Sequence, residues 1–174
     1  MRPARDASIF SSAPRFLSLA ALLGLLSVGV AGHLSAQTTL NFEAESMSPV
    51  GTGATVSTSN DANASGGVLE FLNSTAVGQS ITFTTPSIPA GTYQVQFRYK
   101  TNTSRAQHNV VIDGTQIGGT IDQYATTQAY LTATLGNVTF ATAGTHSIVL
   151  TVTGKNSAAT QYYITADKFT FVGQ

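Results

Sequence analysis

The chain has 174 residues, with eight basic and eight acidic side chains and no cysteine, so its formal net charge is zero. The missing cysteines exclude disulfides and thiolate-held zinc or iron–sulfur centres. Beyond residue 36, five cations stand against seven acids, which leaves no basic surface for a phosphate backbone, so no nucleic acid is expected as a partner.

Residues 1–36 read as a signal peptide. Arg2, Arg5 and Arg15 supply the positive flank, and 16–30 is an uncharged run of Leu, Ala and Val. Leu34-Ser35-Ala36 then precedes Gln37 as a cleavage point. The other reading is an uncleaved anchor, but the run is short beside the roughly 20 residues a span needs. The expected product is a secreted, extracellular domain of residues 37–174 with no membrane contact after cleavage.

The mature chain opens with Phe42-Glu43-Ala44-Glu45-Ser46. On a strand, Glu43 and Glu45 share one face, and adjacent carboxylates repel unless a cation or solvent intervenes. One reading is a solvated edge strand. The other is a hard-cation site of the calcium type, to which Asp167 adds an oxygen if the first and last strands lie together.

Thr, Val, Ile, Tyr and Phe dominate the rest of the mature chain, with Gly, Pro, Asn and Ser between the runs. A strand around Ile81 and Phe83 turns at Pro89-Ala90-Gly91 into Tyr93–Lys100, whose odd positions are apolar and even positions polar. Residues 108–112 form the next strand, and Asp113-Gly114 is a hairpin turn into 115–117, where Gly118-Gly119 breaks the pattern. A strand over 130–140 is interrupted at Gly136-Asn137. Ala143-Gly144 turns into 146–152, and Gly154-Lys155-Asn156-Ser157 leads to a single closing strand over 162–172.

About nine strands spaced by turns predict an all-β domain, a two-sheet antiparallel β-sandwich of the jelly-roll kind. In the closing strand Tyr163, Thr165, Asp167, Phe169 and Phe171 share a face. The phenylalanines point inward, so Asp167 is expected to be buried with a partner.

Six pieces in order carry a resemblance: Phe42-Glu43-Ala44-Glu45, Ser65-Gly66-Gly67, Ile88-Pro89-Ala90-Gly91-Thr92-Tyr93, Val111-Ile112-Asp113-Gly114, Ala143-Gly144-Thr145-His146-Ser147-Ile148 and Asp167-Lys168-Phe169. Over about 39–172 the chain resembles the carbohydrate-binding modules of families 6 and 35, within the galactose-binding-like β-sandwich class. The resemblance implies a structural Ca2+ held by Glu43, Glu45 and Asp167, with a carbonyl near Asn60 or Asp61 completing the shell. It also implies a sugar cleft at the loop end, where Tyr130 stands at one aromatic position and Tyr124 or Tyr162 assists. Thr165 stands where the family places an asparagine.

Lys155 and Asn156 either bond sugar hydroxyls or form an ordinary polar turn. His108 and His146 begin strands and read as strand-edge residues rather than catalytic bases. No nucleophile elbow or flanking pair of acids is legible, so an enzyme is not expected. The leading expectation is a secreted, non-catalytic module that binds a polysaccharide or glycan. The rival is a structural or adhesive β-sandwich that keeps the calcium, has lost the cleft, and contacts extracellular matrix or protein.

Overall fold

The computed structural model describes residues 37–174; the signal-peptide reading concerns 1–36 and lies outside the described residues. The domain is all-β. Its strands in chain order are β1 (Thr39–Glu43), β2 (Val50–Thr52), β3 (Thr55–Asn60), β4 (Val68–Asn73), β5 (Ser80–Thr84), β6 (Gly91–Lys100), β7 (Ala106–Ile112), β8 (Thr115–Asp122), β9 (Tyr130–Phe140), β10 (Ser147–Lys155), β11 (Ile164–Ala166) and β12 (Lys168–Gly173). They pair antiparallel into a four-stranded sheet β1-β12-β6-β9, a five-stranded sheet β2-β5-β10-β7-β8 and a small sheet β11-β4-β3.

Alternation explains β6: Tyr93, Val95, Phe97 and Tyr99 are all buried, whereas the even positions are only half-buried. The core fills the space between the two larger sheets. Phe83 of β5 meets Phe169 of β12 at 5.6 Å between ring centroids, and Phe97 of β6 meets His108 of β7 at 5.8 Å. Each fully buried phenylalanine contributes about 1.5–3 kcal/mol over an exposed one. The Asp113-Gly114 hairpin forms as expected, with both residues at positive φ (47° and 81°), as a type I′ turn requires.

The structure differs from the sequence expectations in four places. There are twelve strands among the described residues, not nine. The extra ones are chiefly three- and six-residue segments of weak alternation, β2, β3 and β11. Gly118-Gly119 does not end β8; the ladder shifts register there instead. Gly136 likewise lies within a continuous β9, at a register shift opposite Val95 and Gln96.

The fourth difference matters most. The closing segment is two strands: β11 pairs with β4, while β12 pairs with β1 and β6. Asp167 is the residue between them. The chain changes sheets at that point, so Ile164, Thr165 and Ala166 are all buried rather than alternating.

Candidate functional site

Glu43 is the last residue of β1, and Glu45 belongs to a 3-10 turn, Ala44–Ser46, not to the strand. The expectation of one strand face is therefore corrected: the turn, closed by the Met47 amide on the Ala44 carbonyl at 3.2 Å, brings the two acids together. The Ser65 hydroxyl donates to Glu43 Oε1 at 2.8 Å. Glu43 Oε2 and Glu45 Oε2 are buried and have no hydrogen-bond partner. Burial raises the Glu45 pKa, the charges of Glu43 and Glu70 add to the rise, and a backbone hydrogen bond opposes it.

Gly66 makes room for these carboxylates. At φ 67°, a Cβ there would lie 3.3 Å from Glu45 Oε1 and 3.9 Å from Glu43 Cδ. Two orphaned carboxylate oxygens over a side-chain-free cradle fit a hard cation, which would compensate both charges at once. Among the described residues no three carboxylate or imidazole groups are placed together to hold a metal ion.

Asp167 is fully buried, as expected, and lies beside this pair. Its Oδ1 accepts the Ser65 amide at 2.9 Å, so Ser65 links it to Glu43. Its Oδ2 accepts from Arg98, whose other terminal nitrogen donates to the Asn63 carbonyl at 2.9 Å. The Ala44 amide donates to the Asp167 carbonyl at 2.9 Å, which ties the glutamate turn to the β11–β12 junction.

Asp61, expected near the metal, is engaged elsewhere. Lys100 Nζ lies 2.6 Å from its Oδ2, the Asn63 amide 2.9 Å from its Oδ1, and its carbonyl accepts the Ala64 amide. The Lys100 hydrogen bond, then that amide, hold its carboxyl well below the usual range. The Asp61 carboxylate is thus committed to Lys100 and Asn63 and is not brought to the glutamate pair.

Beside these ion pairs lies a groove of about 540 Å³ lined by Asn63, Arg98, Lys100, Gln128, Ala129 and Tyr130. The Arg98 guanidinium lies 4.4 Å from the centre of the Tyr130 ring and Lys100 Nζ 5.8 Å from it. The Tyr130 hydroxyl is buried without a well-formed hydrogen bond; burial first, then the neighbouring Asp61, raise its pKa. A ring edged by amides and cations suits a sugar face and its hydroxyls. A smaller cavity, about 360 Å³ beside Thr38, Thr92 and Tyr93, has no charged lining residue and a buried Tyr93.

The other expected sugar contacts are not brought to this groove. Tyr124 is half-buried and bridges to Asn102, and Tyr162 carries Lys155 Nζ at 4.9 Å over its own ring. Asn156 Oδ1 accepts the Ala158 amide, the polar-turn reading. Thr165 is a correction: it is fully buried, its hydroxyl donates to the Lys100 carbonyl at 2.8 Å, and Gln123 Oε1 lies 2.9 Å away, so it has no surface to offer a sugar.

His108 is also corrected, from strand edge to core. It is fully buried against Gln123, and burial lowers its pKa to about 4. His146 stacks on Phe140 at 3.6 Å and pairs with Asp113 at 2.6 Å. Sequence reasoning missed Arg98 and Lys100, although both occupy outward positions of β6. It also missed Arg105, a 4 % exposed guanidinium 4.8 Å from the Phe71 ring centre, which burial lowers to about 10.

A family model described as carbohydrate binding module (family 35) matches residues 52–164. The chain belongs to that family. Carbohydrate binding is therefore the function its family indicates. Among solved structures, a Paenibacillus xanthan lyase is 32 % identical with a TM-score of 0.72 over 77 % of this chain, but only 13 % of that one. A CBM36-1 domain of a multidomain xylanase from the hindgut metagenome of Trinervitermes trinervoides is 25 % identical, with a TM-score of 0.50 over 79 % of this chain and 98 % of its own. A Podospora anserina β-(1,4)-mannanase, 18 % identical with a TM-score of 0.53 over 78 % of this chain and 28 % of its own, shares the fold. The chain thus spans a small part of the two enzymes and nearly all of the isolated domain. No curated protein matches it.

Proposed function

We propose that residues 37–174 act as a secreted, non-catalytic module that binds a polysaccharide at the Tyr130 groove and is braced by a structural calcium. The observation that carries the sugar reading is the groove itself, an aromatic ring flanked by Asn63, Arg98, Lys100 and Gln128. Stacking on the ring supplies apolar contact, and the flanking amides and cations satisfy hydroxyls or acidic substituents. The module performs no bond cleavage: it holds a glycan surface close.

Glu43 and Glu45 would hold the calcium, with Asp167 linked to Glu43 through Ser65. A bound calcium supplies only charge neutralisation and cross-linking, drawing the β1 end, the Ser65–Gly67 loop and the β11–β12 junction together. Support comes from the orphaned oxygens of the two glutamates and the cradle at Gly66.

The rival reading, an adhesive β-sandwich contacting matrix or protein, draws on one observation: of Tyr130, Tyr124 and Tyr162, only Tyr130 lines the groove. Affinity electrophoresis of the purified domain through gels containing xanthan, xylan, mannan or galactan separates the two. Retardation by at least one polymer, lost in Tyr130→Ala, is the result expected; no retardation by any of them favours adhesion.

A further inference from the structure

The carboxylate cluster has a member that the opening motif does not announce. Glu70 lies at the centre of the three-stranded sheet, opposite Thr58 on β3 and opposite Ala166 on β11, the residue before Asp167. It is 2 % exposed. Thr58 Oγ1 donates to its Oε1 at 2.7 Å, while its Oε2 is buried with no partner at all. Its face of β4 is that of fully buried Leu72, a position where an apolar side chain is the ordinary occupant.

A buried carboxylate oxygen without a donor is costly, and proteins place one there only with compensation. The compensation is not an amino-acid cation. The ion pairs of the described residues are Arg98–Asp167, Lys100–Asp61 and His146–Asp113, and none includes a glutamate. Lys168, opposite Glu43 in the register, makes no ion pair with it. Meanwhile β4, the strand that carries Glu70, packs against the Ala44–Ser46 turn that carries Glu45.

The backbone explains this proximity. The Ala44 amide bonds the Asp167 carbonyl, and Glu70 pairs across from Ala166, so Glu45 and Glu70 reach the sheet junction from two sides. Arg98 already neutralises Asp167, leaving two net negative charges on Glu43 and Glu45 and a third on Glu70. Each of the three glutamates keeps one buried carboxylate oxygen with no hydrogen-bond partner.

We infer that Glu70 is the third anionic ligand of the cation held by Glu43 and Glu45, supplying the charge that Arg98 takes away at Asp167. The inference rests on the calcium reading above. Oε1 is the oxygen that Thr58 occupies, so the unpartnered Oε2 is the one Glu70 has to offer an ion once the glutamate side chains reorient around it. Glu70 thereby sets affinity, because calcium sites are tuned by the number of charged ligands.

The test is calcium titration calorimetry with thermal melts, on chelator-stripped wild type and Glu70→Gln. Glutamine keeps the shape and the Thr58 bond but removes the charge. The expected result has two opposite signs: calcium affinity falls about tenfold or more, while the metal-free melting temperature holds or rises because repulsion is relieved. Wild-type calcium affinity in Glu70→Gln overturns the inference alone. A wild-type protein that takes up no calcium overturns the calcium reading and this inference with it. If Glu70→Gln does not fold, Glu70→Asp decides, since it keeps the charge and withdraws the oxygen: weakened affinity supports the role and unchanged affinity overturns it.

Discussion

Arg98 donates to the buried carboxylate of Asp167 and lays the same guanidinium over the ring of Tyr130, 4.4 Å from its centre. One side chain therefore borders both the carboxylate cluster and the groove. Its loss leaves a fully buried Asp167 charge without its partner.

Arg98→Ala is expected to cost about 3 kcal/mol of stability, since removing one member of a buried pair strands the other charge. Saturating calcium should recover part of that loss, because the freed Asp167 gains a cation. Urea unfolding with and without calcium checks both statements; equal destabilisation in the two buffers would show that Asp167 is not in reach of the ion.

Gly66→Ala should be destabilising by about 1–2 kcal/mol from the left-handed backbone alone. The new Cβ also meets Glu45 Oε1 at 3.3 Å. A second consequence is therefore expected, a smaller calcium-induced rise in melting temperature. The neighbouring Gly67 has an open site around its own Cβ, so Gly67→Ala should show the backbone cost without the loss of calcium response.

Acid should weaken the fold through His108. Its native pKa is about 4 against 6.5 for an unperturbed histidine, so the unfolded chain binds more protons between those values. Stability is therefore full above about pH 6.5 and falls as the pH drops towards 4, by about 3 kcal/mol in all. His108→Gln should flatten that stretch of the curve. Equally steep profiles for the two proteins between pH 6.5 and 4 would assign the acid sensitivity to other groups.

Chelation provides the simplest check on the cluster. EDTA should lower the wild-type melting temperature, and Glu45→Ala should abolish the difference between EDTA and calcium buffers. A wild-type curve that EDTA does not move removes the structural cation.

Much of the fold was legible because its larger strands obey strict alternation. Tyr93, Val95, Phe97 and Tyr99 are buried as their spacing dictates, and Asp113-Gly114 turns where two positive-φ residues are needed. The burial of Asp167 was legible for the same reason. The change of sheet at that residue was not, since it depends on which strand pairs with which and leaves no local periodicity. Glu45 lay beyond the strand that its spacing suggested. Glu70 escaped notice because its burial depends on pairing with the distant Ala166 as well as with Thr58, and Thr165 looked available only until Gln123 and Lys100 were seen to enclose it.

Ser65 holds Glu43 through its hydroxyl and Asp167 through its amide, across 22 and 102 residues of sequence respectively. A clasp with such spans cannot form while the chain is still partly made. Both glutamates emerge early, yet the segment that completes their surroundings belongs to the last strands to be joined. Cation-binding competence should therefore appear late and all at once, reporting that the two ends of the domain have met.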